Sequence, residues 1–113
     1  MTRTITRAEL QALLAAGTPV TIAEALPPRY YADAHLPGAV NLPLADLEAL
    51  APDLFPDKAA AIVTYCSNLA CPNSHQAAER LARLGYGDVR VYAAGKQDWV
   101  EAGLPVETGL KAA

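Results

Sequence analysis

The segment Ala60-Ala61-Ile62-Val63-Thr64-Tyr65 is almost wholly apolar and runs straight into Cys66. A short apolar run with β-branched residues at its centre has the pattern of a strand covered on both faces. Beyond a loop, Ala77, Leu81 and Leu84 recur at i, i+4 and i+7. Ala78 and Ala82 lie beside them, and Arg80 and Arg83 fall on the opposite side, as in an amphipathic helix. Ser74 suits its N-cap and Gly85 its stop. A doubly covered strand feeding a helix is part of a parallel β-α-β unit, so helices are required on both faces of the sheet.

The rest of the chain repeats that alternation. Thr6, with Glu9 three residues on, forms a capping box for a helix bearing Leu10, Leu13 and Leu14 and ending at Gly17. Pro19 to Ala23 reads as a strand, Pro28 to Ala34 as one or two helical turns, and Ala39 to Leu42 as a second strand. Leu44, Leu47, Glu48 and Leu50 suit a helix, Val89 to Tyr92 a further strand, and Lys96 to Ala102 a last helix. Turn signals separate these segments at Gly17 to Pro19, Pro27-Pro28, Pro37-Gly38, Pro52 and Pro56, Gly85 to Gly87, and Gly103 to Pro105. There is no internal repeat and no linker. The expectation is one α/β domain over residues 1–113, three-layered, with a mostly parallel sheet and helices on both faces.

Composition narrows the partners. Twelve acidic and nine basic residues leave a net charge of −3, without the basic stripe that nucleic acid or an anionic membrane would need. Leu, Ile, Val and Phe number 26, enough for a core although 24 residues are Ala. No apolar run reaches the length of a membrane span, and Met1 to Arg7 lacks the apolar core of a secretory signal. A cytoplasmic setting is therefore expected, with both cysteines reduced.

The chemistry concentrates in one loop. Cys66 stands where the central strand ends, and Ser67, Asn68, Leu69, Ala70, Cys71, Pro72, Asn73 and Ser74 lead into the helix. In open parallel sheets ligands gather at the carboxyl ends of the strands. Main-chain N–H groups of such a loop, with the helix end, form an anion site, and a thiol held there ionises more readily. That role needs a sulfur facing solvent. A cysteine ending a strand equally suits a small buried core residue. Cys71 stands near enough along the loop to resolve a persulfide or sulfenic acid as a disulfide, or else packs beside Pro72. Cys66, Cys71 and His75 make only a loose triad for a metal, without the fourth ligand that zinc wants, and no cofactor is expected.

Three stretches carry a family resemblance. Tyr31-Ala32-Asp33-Ala34-His35-Leu36-Pro37-Gly38-Ala39-Val40-Asn41-Leu42-Pro43 is similar to a Y-x-x-x-H-I-P-G-A-x-N-x-P motif. Tyr65-Cys66-Ser67, with Ser74 to Leu84 and Gly85-Tyr86, is similar to an active-site loop and its helix. Val91 to Trp99, then Gly103-Leu104-Pro105-Val106, is similar to V-x-x-L-x-G-G-x-x-x-W-x-x-x-G-x-P-V. Together they resemble the rhodanese-like domains. The resemblance implies a five-stranded, largely parallel sheet and a sulfurtransferase using Cys66 as covalent carrier. Sulfane sulfur would pass from thiosulfate or a persulfide, through a Cys66 persulfide, to a thiol or cyanide-like acceptor, a protein acceptor included. The residues from Ser67 to Ser74 would line the substrate site. The alternatives are a catalytically weak binding or regulatory module and a Cys66/Cys71 thiol–disulfide redox protein.

The sequence departs from the family at two places. The family's Asp-x-Arg aligns with Glu24-Ala25-Leu26, so the arginine that braces the loops is missing. The loop after Cys66 is longer than the common sulfurtransferase loop and carries no charged side chain. Thiosulfate would then be held by N–H groups alone, with modest affinity. The related phosphatases place an arginine where Pro72 stands, which argues against that chemistry. His35 reads as a structural histidine held by a backbone partner, His75 as solvent-facing, Trp99 as core, and Lys96 as a candidate cation for anions. Asp46, Glu48 and Asp53 read as a solvated helix face, and Gly38 and Gly95 as positions where a Cβ would not fit.

Overall fold

The computed structural model describes residues 3–110; positions 1–2 and 111–113, the ends of the expected 1–113 domain, lie outside them. Within that span the chain runs β1 (Arg3–Thr4), α1 (Arg7–Ala15), β2 (Thr21–Glu24), α2 (Pro28–Asp33), β3 (Val40–Asn41) and a 3₁₀ turn (Leu44–Asp46). Then follow α3 (Leu47–Leu54), β4 (Ala61–Tyr65), α4 (Asn73–Arg83), β5 (Asp88–Tyr92) and α5 (Gly95–Glu101). The strands form one sheet in the order β1-β5-β4-β2-β3, with every neighbouring pair parallel. The expected mostly parallel sheet is thus parallel throughout. β4 sits at its centre, and its carboxyl end delivers Cys66.

Each face of the sheet carries a core. On one, Leu47, Ala51 and Phe55 from the α3 side and Ala77, Ala78 and Leu81 from α4 pack on Ala23, Ile62 and Val91. On the other, Leu10 of α1, Tyr31 of α2 and Trp99 of α5 pack on Ile22, Val63 and Tyr92. Successive residues Ile62 and Val63 enter opposite cores, as the two-residue period of a strand requires. Being covered twice, β4 needs apolar side chains on both faces, which explains its unbroken run. No helix among the described residues is long and apolar enough to cross a membrane.

Local signals placed most elements within a residue or two. The capping box forms: Thr6 Oγ1 accepts from Glu9 N–H at 3.1 Å, and Glu9 Oε1 accepts from Thr6 N–H at 2.9 Å. Gly17, Gly85 and Gly103 follow helices with φ of +71°, +103° and +76°, a left-handed geometry that glycine adopts readily. Some elements differ from the sequence reading. β2 starts at Thr21, because Pro19 has no N–H to give a ladder. β3 keeps only two of its four expected residues. Pro52 lies inside α3 instead of marking a turn; burial of Leu47 and Ala51 outweighs the hydrogen bond proline cannot make. α4 begins at Asn73 with Pro72 at its cap, so Ser74 is not the N-cap but lies in the first turn. β1 escaped the sequence reading: two exposed polar residues have no apolar period, and pairing with β5 alone defines them.

The Tyr86 hydroxyl is buried and reaches the carbonyls of Ala51 at 3.1 Å and Phe55 at 2.7 Å, at the end of α3. Tyr86→Phe leaves those carbonyls short of a donor. It is expected to lower unfolding free energy by about 1–2 kcal/mol in urea titrations, with the α/β circular-dichroism spectrum unchanged.

Candidate active site

Cys66 is held from two sides. Gly95, at φ +74°, opens α5 so close to the loop that a Cβ there would lie 2.6 Å from the Cys66 carbonyl oxygen. The next two N–H groups of α5 donate to that loop: Lys96 N to Cys66 O and Gln97 N to Ser67 O, both at 2.8 Å. Two donors that a helix start leaves unpaired therefore fasten the loop. From the α4 side, Ser74 Oγ stands 3.6 Å from Cys66 Sγ. Asn73 Nδ2 donates to Ala25 O at 3.0 Å, tying the start of α4 to the end of β2.

The two cysteines are joined as a disulfide, Cys66 to Cys71, with Cα atoms 6.4 Å apart. This corrects the expectation of two reduced thiols. The loop itself brings them together. Asn68 folds it back, its carbonyl accepting from Cys71 N at 3.1 Å and its side-chain oxygen from Ala70 N at 3.0 Å. The reactive reading of Cys66 called for a sulfur facing solvent, and the structure does not meet it: Cys66 is only 1% exposed and is bonded to the half-buried Cys71. His75 is exposed, and among the described residues no group of His, Cys, Asp or Glu gathers that could hold a metal ion.

The N–H groups of Ser67, Asn68 and Leu69 find no acceptor among the described residues. The first-turn N–H groups of α4 lie at the other end of the same loop. Leu69, at the tip, is 75% exposed. Beside it a groove of about 370 Å³ is lined by Asn68, Leu69, Ala70, Ala94, Gln97, Asp98 and Glu101. Asp98 is committed there, accepting from Arg7 at 2.8 Å and from the Tyr92 hydroxyl at 2.6 Å.

Beneath the loop lies a buried ionic network that the sequence reading missed. Glu24, at the end of β2, is fully buried. Its Oε1 accepts from the Tyr65 hydroxyl at 2.7 Å and from Lys96 Nζ at 3.0 Å. Lys96 Nζ also donates to the carbonyls of Tyr30 at 3.0 Å and Ala34 at 2.6 Å, and Leu36 N donates to the Tyr65 oxygen at 3.0 Å. The Lys96 ammonium is thus spent inward, and the reading of Lys96 as a cation for substrate anions is corrected accordingly. Burial pushes the Glu24 carboxyl above its ordinary range, against the opposing pull of Tyr65 and Lys96. The same burial, with the Glu24 charge beside it, pushes the Tyr65 hydroxyl far up, so it stays a donor. The one sequence signal for this pair was a charged residue closing an otherwise apolar strand.

His35 matches its structural reading. Its Nδ1 lies 2.7 Å from Tyr31 O, its ring stacks on Tyr31 at 3.7 Å, and its main chain pairs with Glu107 on both sides. Trp99 is buried and donates Nε1–H to Pro105 O at 2.8 Å. Glu48 is paired with Arg80 of α4. Gly38 turns at φ +75° with open space where a Cβ would stand, so conformation, not crowding, selects glycine there.

This fold and loop define a class, and the rhodanese-like domain family model matches residues 6–102: the chain belongs to the rhodanese-like domain family. It is 38% identical over 105 residues to the HTH-type transcriptional regulator Rv0324 of Mycobacterium tuberculosis, covering 93% of this chain but only 45% of that regulator. A thiosulfate sulfurtransferase from Pseudomonas aeruginosa superposes with a TM-score of 0.84 at 27% identity, over 96% of this chain and 20% of that one. The human single-domain sulfurtransferase TSTD1 superposes with a TM-score of 0.77 at 26% identity, over 89% and 97% of the two chains.

Lys96→Met strands the Glu24 carboxylate in the interior. The loss of stability is expected to be about 3 kcal/mol near pH 8. A folded-state pKa above the unfolded one favours the native state below the ordinary carboxylate range, and that advantage fades as pH rises through the folded value. Removing Lys96 raises the folded value further, so the deficit should shrink toward pH 5; thermal melts at both pH values test this.

Proposed function

We propose that this chain is a sulfurtransferase that carries sulfane sulfur on Cys66. The supporting observation is the placement of that cysteine. It leaves the central strand at the sheet's carboxyl edge, in a loop with uncommitted N–H groups and the Ser74 hydroxyl 3.6 Å from its sulfur. The sulfurtransferases among the similar structures favour the same reading.

The chemistry begins from the reduced loop. The Cys66 thiolate attacks the sulfane sulfur of thiosulfate, the sulfur–sulfur bond of the donor breaks, and sulfite departs with the electron pair. A persulfide remains on Cys66. Cyanide or a thiolate then attacks the outer sulfur, and the Cys66 thiolate leaves. Loop N–H groups and the Ser74 hydroxyl would steady the thiolate, the persulfide and the departing sulfite. In the oxidised form the sulfur is bonded and covered, so turnover requires prior reduction. The expected partners are a small sulfur donor and a thiol or cyanide-like acceptor, without nucleic acid at this domain and without a membrane.

One observation favours a second reading, a regulatory module of low turnover. The relative from Mycobacterium tuberculosis is a transcriptional regulator more than twice as long as the matched segment, and the Cys66–Cys71 bond is a ready on–off state.

Sulfur transfer from thiosulfate or inorganic polysulfide to cyanide separates the two. Reduced wild type should turn over and Cys66→Ser should fall to background. A reduced wild type that neither turns over nor gains a sulfur atom by mass overturns the carrier reading. Because the loop lacks a cationic side chain, Ala70→Arg at the exposed loop tip is expected to lower KM for thiosulfate roughly tenfold, as one charge-assisted hydrogen bond would. The gain should fade with added salt.

A further inference from the structure

Resting on the reading of Cys66 as sulfur carrier, we infer that Cys71 is a resolving cysteine. It makes the chain a dithiol-dependent sulfane-sulfur reductase as well as a group-transfer catalyst. Three observations carry this. The Cys66 and Cys71 Cα atoms stand 6.4 Å apart, inside the span a disulfide allows. Cys71 is also held in place: Asn68 accepts from Cys71 N and Ala70 N, and Pro72 follows directly before α4. Finally, the bond and the contacts that hold the loop are present together. With the sulfurs joined, Cys66 O and Ser67 O accept from α5 at 2.8 Å, and Ser74 Oγ stands 3.6 Å from Cys66 Sγ. The disulfide is therefore a state the folded site accommodates.

Cys71 is the more exposed of the two residues and covers Cys66. An outer sulfur on Cys66 and the Cys71 sulfur would therefore compete for the space above it. A Cys66 persulfide has two fates. An external nucleophile takes the outer sulfur, as in group transfer. Alternatively the Cys71 thiolate attacks the inner sulfur, Cys66 Sγ, and the bond to the outer sulfur breaks. That sulfur leaves with the electron pair and takes up the Cys71 proton, departing as hydrosulfide. The sulfane sulfur is reduced by two electrons, and the two cysteines are oxidised to the disulfide. An external dithiol then attacks the disulfide and becomes a disulfide itself, restoring both thiols. Over the cycle one dithiol reduces one sulfane sulfur to sulfide.

The experiment is a single turnover without oxygen. Protein reduced and freed of reductant meets one equivalent of thiosulfate, and in a parallel arm inorganic polysulfide. Sulfite, hydrosulfide and intact mass are read. Wild type should release one hydrosulfide per chain and become lighter by two hydrogens, while the no-donor control stays reduced. Cys71→Ser should release no hydrosulfide, become heavier by one sulfur, and yield that sulfur to added cyanide. A wild type that keeps the added sulfur and releases no hydrosulfide overturns the resolving role and leaves the carrier reading standing. Disulfide formation in the no-donor control also overturns it, since the bond then needs no persulfide. If folded Cys71→Ser, its Cys66 thiol open to alkylation, gains no sulfur from either donor, the carrier reading falls and this inference with it.

Discussion

The buried contact between Glu24 and Lys96 holds the active loop in its place. Four segments meet at one carboxylate oxygen and the ammonium that faces it: the end of β2, the residue before Cys66, the start of α5, and the carbonyls of Tyr30 and Ala34. A buried ion pair contributes little net stability, because desolvation offsets most of the attraction. Its effect is on specificity of arrangement. Removing either partner leaves the other uncompensated, so alternative packings of these segments are penalised heavily. The residue that donates its side chain to Glu24 also donates its main-chain N–H to Cys66, so the brace and the site share one residue.

That placement leaves the loop without a cation of its own. The nearest lysine faces inward, and the groove beside the loop tip carries Asp98 and Glu101. The loop offers an anion main-chain N–H groups and uncharged side chains, Ser67, Asn68 and Ser74 among them. Such donors are neutral, so they favour a thiolate or persulfide while giving a free dianion little extra attraction. The loop's length has a separate consequence. It provides room for Asn68 to turn the chain back, and that turn sets a second sulfur over the first. In the structure that loop is closed by the Cys66–Cys71 disulfide.

Much of the architecture was legible in local patterns. The almost wholly apolar character of Ala61 to Tyr65 marks a central strand because such a strand is covered twice. The capping box at Thr6 and Glu9, and the glycines after α1 and α4, act through neighbours along the chain, so spacing reveals them. β1 and the start of α4 were less legible. Arg3 and Thr4 become a strand only because Arg90 and Val91 present a free edge. α4 starts one residue before Ser74, whose hydroxyl lies beside the Cys66 sulfur, a partner no helix rule contains.

From α1 onward, the order of strands and helices, the twofold-covered sheet and the position of Cys66 at a strand end follow from the sequence alone, because hydrophobic period and capping are short-range properties. The partner of Glu24, the inward turn of Lys96, the union of Cys66 with Cys71 and the burial of Cys66 do not. Each depends on where segments distant in the chain, or a loop with no periodic signal, come to rest. Burial then fixes the outcome: inside the core a charge must find its counter-charge, and only packing in three dimensions determines which one is within reach.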